Sequence, residues 1–228
     1  MDKRFWAIIG VIVVVFGAIV IANDHKSSNT ASTSGKPTSH VEGDLTSKVT
    51  LVEYGDYQCP VCEGYYSVVQ QVQQKYNDSV KFQFRNLPLV SAHPNALAAA
   101  RAAEAADMQG KFWQMHDLLY SSQNYYDWAY DQNAGTVRSA DPTPFFKQYA
   151  AQLGLNVAKF QKDFASAAAN NRVQADIATF TKTGQQEGTP SFFVNGKFYS
   201  NANFVDNTGA PSVTAFSNVL DKALKNAK

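Results

Sequence analysis

Two cysteines three positions apart are the residues of this chain best suited to chemistry. Cys59 and Cys62 are the only cysteines among 228 residues, and they enclose Pro60 and Val61. A strand pattern ends just before Cys59 and a helix pattern begins after Pro60. Cys59 is therefore predicted at a helix N-terminus, where the helix dipole and free N–H groups favour a thiolate. Cys62 would lie one turn further along and more covered, so the spacing predicts an exposed attacking thiol and a shielded resolving thiol.

Two other interpretations of the cysteine pair remain open. The pair could be an inert structural disulfide, but closing so short a loop stabilises a fold by only about 2 kcal/mol in the chain-entropy treatment. It could bind a metal, but none of the four histidines has ligand spacing with the cysteines. Redox chemistry is therefore favoured, and two cysteines exclude both a four-thiolate zinc site and a framework of several disulfides.

The composition limits the classes of protein that are possible. Hydrophobic residues make up 45% and aromatic residues 13% of the chain, so most of it can fold around a core. Its length allows one ordinary domain with an extension, or two small domains. The formal net charge of +1 argues against a nucleic-acid-binding protein, whose contact face would be strongly basic.

The N-terminus predicts where the protein works. Residues 5–22 contain no polar side chain and would form a helix roughly 27 Å long, close to the thickness of the bilayer core. Lys3 and Arg4 precede this stretch, and such positive flanks stay in the cytoplasm. We expect residues 1–22 to anchor the protein in the cell membrane by a single span, with the rest outside the cytoplasm. Cleavage as a signal peptide near Ala22 is the alternative, and both place the domain where disulfides persist.

The remaining chain divides into a spacer and a domain. Residues 23–47 are rich in Ser, Thr, Asn, Gly and Pro, and predict a flexible tether. Residues 48–228 predict one α/β domain. A strand, a helix and a second strand suggest a parallel unit, and residues 91–184 have helical patterns only. Asn195-Gly196 then predicts a β-hairpin, and an amphipathic helix follows. The predicted order is β-α-β, helical insert, β-hairpin, α.

Four segments resemble one known family. Residues 53–62 (EYGDYQCPVC) resemble the active-site segment of the DsbA-like thioredoxin-fold family, and residues 188–196 (GTPSFFVNG) resemble its cis-proline segment. Residues 86–89 and 110–113 resemble the flanks of its helical insert. The resemblance spans about residues 45–228. It implies an extracytoplasmic thiol:disulfide oxidoreductase that introduces disulfides into exported proteins.

The resemblance also implies roles for individual residues. Cys59 and Cys62 would be catalytic. The bond before Pro190 would be cis and would turn the Thr189 backbone toward Cys59, ready to pair with a substrate strand. Pro60 and Val61, together with Thr189, would contact the substrate.

The cysteines carry the electrons themselves, so no cofactor is expected. The expected partners are thiols of exported polypeptides and a membrane-embedded or small-molecule redox partner that recycles the pair. Strongly oxidising relatives usually have histidine where this chain has Val61, which leaves the direction of electron flow open. A reductase or isomerase, or a non-catalytic binding module with a structural disulfide, is the alternative.

Glu53 is the candidate proton carrier. It precedes Cys59 on the face of the first strand that also bears Val49 and Leu51. A carboxyl group buried there would have a raised pKa and could exchange a proton with Cys62. An exposed glutamate at a strand end is the alternative.

Other polar and aromatic residues have simpler interpretations. His116 shares a helix face with apolar residues and is predicted to pack in the core. His93 precedes a proline at a helix start and is predicted to cap the helix or lie in a loop. Four aromatic residues of the insert could pack in the core or contact a peptide: Tyr125, Tyr126, Trp128 and Tyr130. Three acidic residues near them are too scattered to form a calcium loop: Asp127, Asp131 and Asp141.

Overall fold

Residues 36–227 are described by a computed structural model, in which the predicted order of strands and helices is present with three additional short strands. The strands are β1 (His40–Gly43), β2 (Thr50–Gly55), β3 (Lys81–Asn86), β4 (Tyr130–Asp131), β5 (Thr136–Val137), β6 (Ser191–Val194) and β7 (Lys197–Ser200). The helices are α1 (Pro60–Tyr76), α2 (Ala96–Asp107), α3 (Phe112–Tyr120), α4 (Ser122–Trp128), α5 (Thr143–Gln152), α6 (Val157–Phe164), α7 (Ala167–Thr181) and α8 (Val213–Asn226).

A five-stranded sheet lies at the centre, in the order β1-β3-β2-β6-β7. β2 and β3 are parallel and joined through α1, which confirms the predicted parallel unit, and the other neighbours pair antiparallel. Helices α1 and α8 share an apolar core with the sheet that includes Leu51, Val72, Phe192 and Phe216. The carboxyl ends of β2 and β3 therefore meet at one edge, where the loop to α1 places the cysteines.

The hairpin between β6 and β7 confirms the prediction from Asn195-Gly196. Both residues have positive φ, 50° and 79°. A two-residue turn of this kind matches the twist of the flanking strands, and asparagine and glycine tolerate it best. The hairpin fixes β6 beside β2, where Ser191 pairs with Tyr54.

Helices α2 to α7 lie between β3 and β6, which confirms the helical insert. The insert has its own core, whose buried members include Leu119, Trp128, Phe146 and Phe160. The short β4–β5 pair inside it was not predicted, because two-residue strands have no periodicity that a sequence pattern could reveal.

The predicted tether over residues 23–47 is wrong in its second half. Residues 36–43, which we call the N-terminal strap, contain β1, which pairs with β3. Thr38 donates its backbone N–H and hydroxyl to the Asp176 carboxylate at 2.8 and 2.7 Å, and His40 Nε2 lies 2.8 Å from Glu104 Oε1. The composition misled because a strand this short depends on distant partners rather than on its own apolar residues. The domain therefore starts before residue 48.

The predicted membrane span, residues 5–22, and the first part of the predicted tether lie outside the described residues. Within residues 36–227, no helix has the length and apolar character needed to cross a bilayer.

Candidate active site

The two cysteines lie where β2 turns into α1. Cys59 is the N-cap of α1, with extended backbone angles (φ −74°, ψ 121°), and Pro60 is the first helical residue. Proline fits this position because the first helical N–H has no partner within the helix. Cys62 follows in the first turn. Both are free thiols, so the structure represents the reduced pair.

The two thiols differ in their readiness to ionise. The hydrogen bond from the Cys62 thiol outweighs burial and lowers the pKa of Cys59 to about 6. Burial raises the pKa of Cys62 well above its ordinary value, and the neighbouring Cys59 adds to the shift. One proton shared by two sulfurs is thus held on Cys62, and the thiolate forms on Cys59.

Cys59 is less exposed than its position at a helix start predicted. The residue is 5% exposed and Cys62 is 1% exposed. The Cys59 thiol donates to the carbonyl oxygen of Thr189, 3.5 Å away, and both cysteines belong to the apolar core of the insert. Cys59 is thus the more accessible of two largely buried cysteines, by a small margin.

The Thr189–Pro190 peptide bond is cis, as the resemblance implied. Thr189 is only 9% exposed. Pairing between Ser191 and Tyr54 holds the segment against the end of β2. The structure therefore brings together three of the predicted site residues, Cys59, Thr189 and Pro190.

Residues 35–221 match the family model described as thioredoxin. The chain belongs to the thioredoxin family. Among solved structures, a thioredoxin-like oxidoreductase from Silicibacter pomeroyi is 26% identical, with a TM-score of 0.63, over 83% of this chain and 94% of the other. BdbD from Bacillus subtilis is 22% identical, with a TM-score of 0.66, over 84% of this chain and 97% of the other. The latter likeness shows the shared fold, and the family resemblance found in the sequence is confirmed.

Longer curated proteins contain a related stretch. A Na(+)/H(+) antiporter NhaA 3 from Salinispora tropica is 35% identical over 78% of this chain, and an NhaA 1 from Salinispora arenicola is 34% identical over the same share. The chain spans about a quarter of the length of these relatives, since the match covers 25% of each. The match thus concerns one part of each longer protein.

Glu53 of this thioredoxin-family domain is half-buried in β2 and lies near enough to Cys62 for its charge to act on that thiol. It pairs with Phe84 and Phe192 across the sheet and, with Leu51, lines a cavity of about 10 Å³. Burial raises the pKa of Glu53 to about 8, and the carboxylate in turn helps to raise the pKa of Cys62. No residue of the described part of the chain donates a hydrogen bond to it. The carboxyl group can therefore change its charge near neutral pH, as a proton carrier must.

Asp56 organises the loop that leads into Cys59. One carboxylate oxygen accepts the Gln58 N–H at 2.8 Å, and the other accepts the Leu89 N–H at 2.8 Å and lies 2.7 Å from His93 Nδ1. The Asp56 carbonyl accepts the Cys59 N–H at 3.1 Å. His93 is thus more than the helix cap or loop residue that the sequence predicted, since it pairs with a carboxylate beside the active site.

Gln58 joins the active-site loop to the helical insert. Its fully buried side chain donates to the carbonyls of Ala129 and Arg138 at 3.1 and 2.6 Å and accepts the Asn95 N–H at 2.6 Å. The Tyr125 hydroxyl donates to the Gln58 carbonyl at 2.8 Å. These bonds fix Gln58, the residue before Cys59, to the start of α2, to α4 and to the segment around β4 and β5.

Burial bears on several of the remaining predictions about single residues. His116 is 6% exposed among aromatic rings, which confirms core packing, and burial lowers its pKa. Tyr125 and Trp128 are each 1% exposed, so they pack in the core. Pro60 and Val61 lie at the surface, and Val61 is 46% exposed.

Sequence reasoning missed Asp56, Gln58, His93 and Tyr125 as parts of the site. Asp56 and Gln58 stand inside the segment that resembles the family, so their closeness to Cys59 was a usable signal. His93 and Tyr125 are 34 and 66 positions from Cys59, and only the fold brings them near it.

Proposed function

We propose that the protein is an extracytoplasmic thiol:disulfide oxidoreductase that introduces disulfide bonds into exported proteins. The observation that supports this most directly is the opposite shift of the two thiols, downward for the pKa of Cys59 and upward for that of Cys62. A disulfide whose reduced form is stabilised by one thiolate is a better oxidant than a disulfide between ordinary thiols. An inert structural disulfide would need no such difference.

The proposed reaction uses the cysteines alone. A substrate thiolate attacks Cys59 Sγ in the oxidised pair, the Cys59–Cys62 bond breaks, and Cys62 leaves as a thiolate that takes up a proton. A second substrate thiolate then attacks the substrate sulfur of the mixed disulfide and releases Cys59 as a thiolate. The substrate loses two electrons and gains a disulfide, and the cysteine pair gains two electrons. A membrane-embedded or small-molecule oxidant returns the pair to the disulfide.

Glu53 is proposed to supply the proton that Cys62 takes up. Its pKa of about 8 means that much of it is protonated at neutral pH. The pKa of Cys62 is higher still, so the proton passes from carboxyl to thiolate in the favourable direction.

Substrate contact is proposed for the surface around Cys59. Pro60 and Val61 are exposed next to it, and the cis-proline segment lies on its other side. An extended peptide bound there would meet an apolar patch on one side and the backbone at Thr189 on the other. Because Val61 carries no charge, the surface can accept apolar peptide segments without desolvating an ion.

A reductase or isomerase of the same fold is the second candidate. The exposed Val61 favours it, because valine offers the Cys59 thiolate neither positive charge nor a hydrogen bond. A less stabilised thiolate makes the disulfide a weaker oxidant.

The reduction potential of the pair distinguishes the two candidates. The protein is equilibrated with glutathione buffers, and the reduced fraction is measured by alkylation and mass spectrometry. A reduction potential of about −120 mV supports the oxidase, and one of about −270 mV supports the reductase. Oxidation of a reduced model peptide by the oxidised protein must accompany the first result. A Cys59→Ser variant is the control, and equal peptide oxidation by it would contradict the proposal.

A further inference from the structure

The carboxylate of Asp56 lies close to Cys59, and neither of the two residues between the cysteines is basic. Asp56 is 1% exposed, and the hydrogen bond from the Cys59 N–H to its carbonyl folds the loop so that both residues occupy one turn. A negative charge here opposes ionisation of Cys59, and Asp56 does act in that direction. The hydrogen bond from Cys62 outweighs this effect, and a cation paired with Asp56 would weaken the opposing charge itself.

His93 is placed to offset it. Nδ1 lies 2.7 Å from Asp56 Oδ2, and the imidazole is almost as buried as the carboxylate. Among residues 36–227, His93 is the one basic side chain that pairs with Asp56. The loop before α2 holds the ring in place, since the His93 N–H donates to the Leu89 carbonyl at 2.9 Å while the Leu89 N–H bonds to Asp56.

The other charged and titratable groups around the pair do not replace this contact. Asp56 and Cys59 act on His93, and both raise its pKa. On the side of α1 and β2, Cys62, Glu53 and Glu63 stand near the pair, and none of them can be a cation. Tyr125, from α4, faces Cys59 with a hydroxyl whose pKa is raised by burial and which therefore stays neutral.

We propose that His93 is a positioning residue for Cys59 that acts through Asp56, and that its protonated form cancels the Asp56 charge and thereby favours the Cys59 thiolate. With His93 protonated, the pair is neutral as a whole. With His93 deprotonated, the pair has one net negative charge next to Cys59. The effect of His93 on catalysis rests on the proposed function. Its effect on the reactivity of Cys59 does not, because thiol reactivity can be measured without any substrate.

Alkylation of Cys59 tests this inference. The full-length reduced protein, in detergent, is treated with iodoacetamide from pH 4.5 to 9, and the rate at Cys59 is followed by mass spectrometry. We expect His93→Gln to lower the rate at pH 5.5 by about three- to tenfold, because loss of a nearby opposite charge disfavours the thiolate. Asp56→Asn should raise the rate, since it removes the opposing charge.

The double variant distinguishes action through Asp56 from a general disturbance. In the Asp56→Asn background, His93→Gln should lower the rate by a smaller factor than in the wild-type background, because the imidazole without its carboxylate partner is protonated less often. His40→Gln is the matched control, because His40 is also a buried histidine paired with carboxylates but lies in β1. An unchanged rate in His93→Gln, or an equal loss with and without Asp56, would overturn the inference.

A second measurement needs no variant. The pKa of His93 is followed by NMR on the histidine-labelled full-length protein, with Cys59 either free or alkylated. Because a thiolate raises the pKa of a neighbouring imidazole, alkylation should lower the His93 pKa, and the other histidines should not respond. Identical titration curves for His93 in both forms would overturn the inference, whereas failure to oxidise a peptide would contradict only the proposed function.

Discussion

The two cysteines of the site are three positions apart, yet their sulfur atoms have different surroundings. Both belong to the apolar core of the insert, but Cys59 caps α1 and contacts Thr189, whereas Cys62 is 1% exposed in the first turn of the helix. We therefore expect iodoacetamide to modify Cys59 at least about tenfold faster than Cys62 at pH 7, since only the thiolate reacts. Mass spectrometry of the singly modified peptide measures this ratio. Preferential labelling of Cys62 would reverse the assignment of the attacking thiol.

A matched pair of variants extends this prediction. Cys62→Ser should accumulate mixed disulfides with thiol substrates, because no internal thiol remains to displace them. Cys59→Ser should accumulate few, because the remaining sulfur is almost fully enclosed. Equal amounts of mixed disulfide in both variants would show that burial does not determine which cysteine reacts with the substrate.

Glu53 predicts a dependence of stability on pH. Its pKa of about 8 in the folded protein lies above the ordinary glutamate value of 4.5, so the folded state binds the proton more tightly. Stability should therefore fall as pH rises from about 4.5 to about 8, where the unfolded chain has already lost the proton. Glu53→Gln should remove this fall and make the protein more stable at pH 9 by about 1 kcal/mol or more.

Urea unfolding of the oxidised protein at pH 5, 7 and 9 measures this difference, and oxidation keeps the thiols from contributing. If Glu53 also supplies a proton to Cys62, Glu53→Gln should slow peptide oxidation about tenfold at pH 7. Parallel stability curves for both proteins would mean that Glu53 has an ordinary pKa.

How far individual site residues could be predicted depended on their separation along the chain. Cys59, Cys62 and Pro190 stand in segments whose spacing and resemblance to a family are informative. The place of Glu53 on the buried face of β2 followed from strand alternation. His93 could not be assigned to the site, because its contact with Asp56 requires the loop between β3 and α2 to fold back on the end of β2.

Among the elements, the N-terminal strap makes the clearest prediction. It supplies the hydroxyl and imidazole partners of Asp176 and Glu104, two carboxylates that are 0% exposed. Removing the strap leaves both without these partners, and a buried polar group that loses its partner costs about 1–3 kcal/mol. A chain beginning at Thr46 should therefore be less stable by about 2 kcal/mol or more than a chain beginning at Lys36.

Urea unfolding of the two shortened chains, both lacking residues 1–35, measures the contribution of the strap directly. His40→Gln in the longer chain should reproduce part of the loss. Coincident unfolding curves for the two chains would restore the original prediction of a tether that adds nothing to the core.

The accuracy of element prediction followed the strength of local patterns. The β2–α1–β3 unit and the β6–β7 hairpin have clear periodicity or a specific turn sequence, and they form as predicted. β1 and the β4–β5 pair are held by distant hydrogen bonds, and nothing local identifies them. A strand of two to four residues can thus be predicted when a specific turn sequence adjoins it, as in β6 and β7, and not when only distant partners hold it.

For the protein as a whole, the location outside the cytoplasm is the proposal most open to a direct test. The apolar residues 5–22, preceded by Lys3 and Arg4, should keep the protein in the membrane fraction, with its domain accessible to protease from outside. N-terminal sequencing of protein isolated from cells distinguishes an anchor from a signal peptide. A mature start at Asn23 would contradict the anchor and leave an exported domain.

The alanine-rich helix α2 has a consequence for how such a domain can diversify. Seven of its alanines are buried on several sides of the helix, where α3, α5, α6 and α7 press against it: Ala96, Ala99, Ala100, Ala102, Ala103, Ala105 and Ala106. A packed interior accepts no larger side chain there without displacing a neighbouring helix. Sequence variation should therefore be tolerated at exposed positions of the insert, while these seven positions keep small side chains.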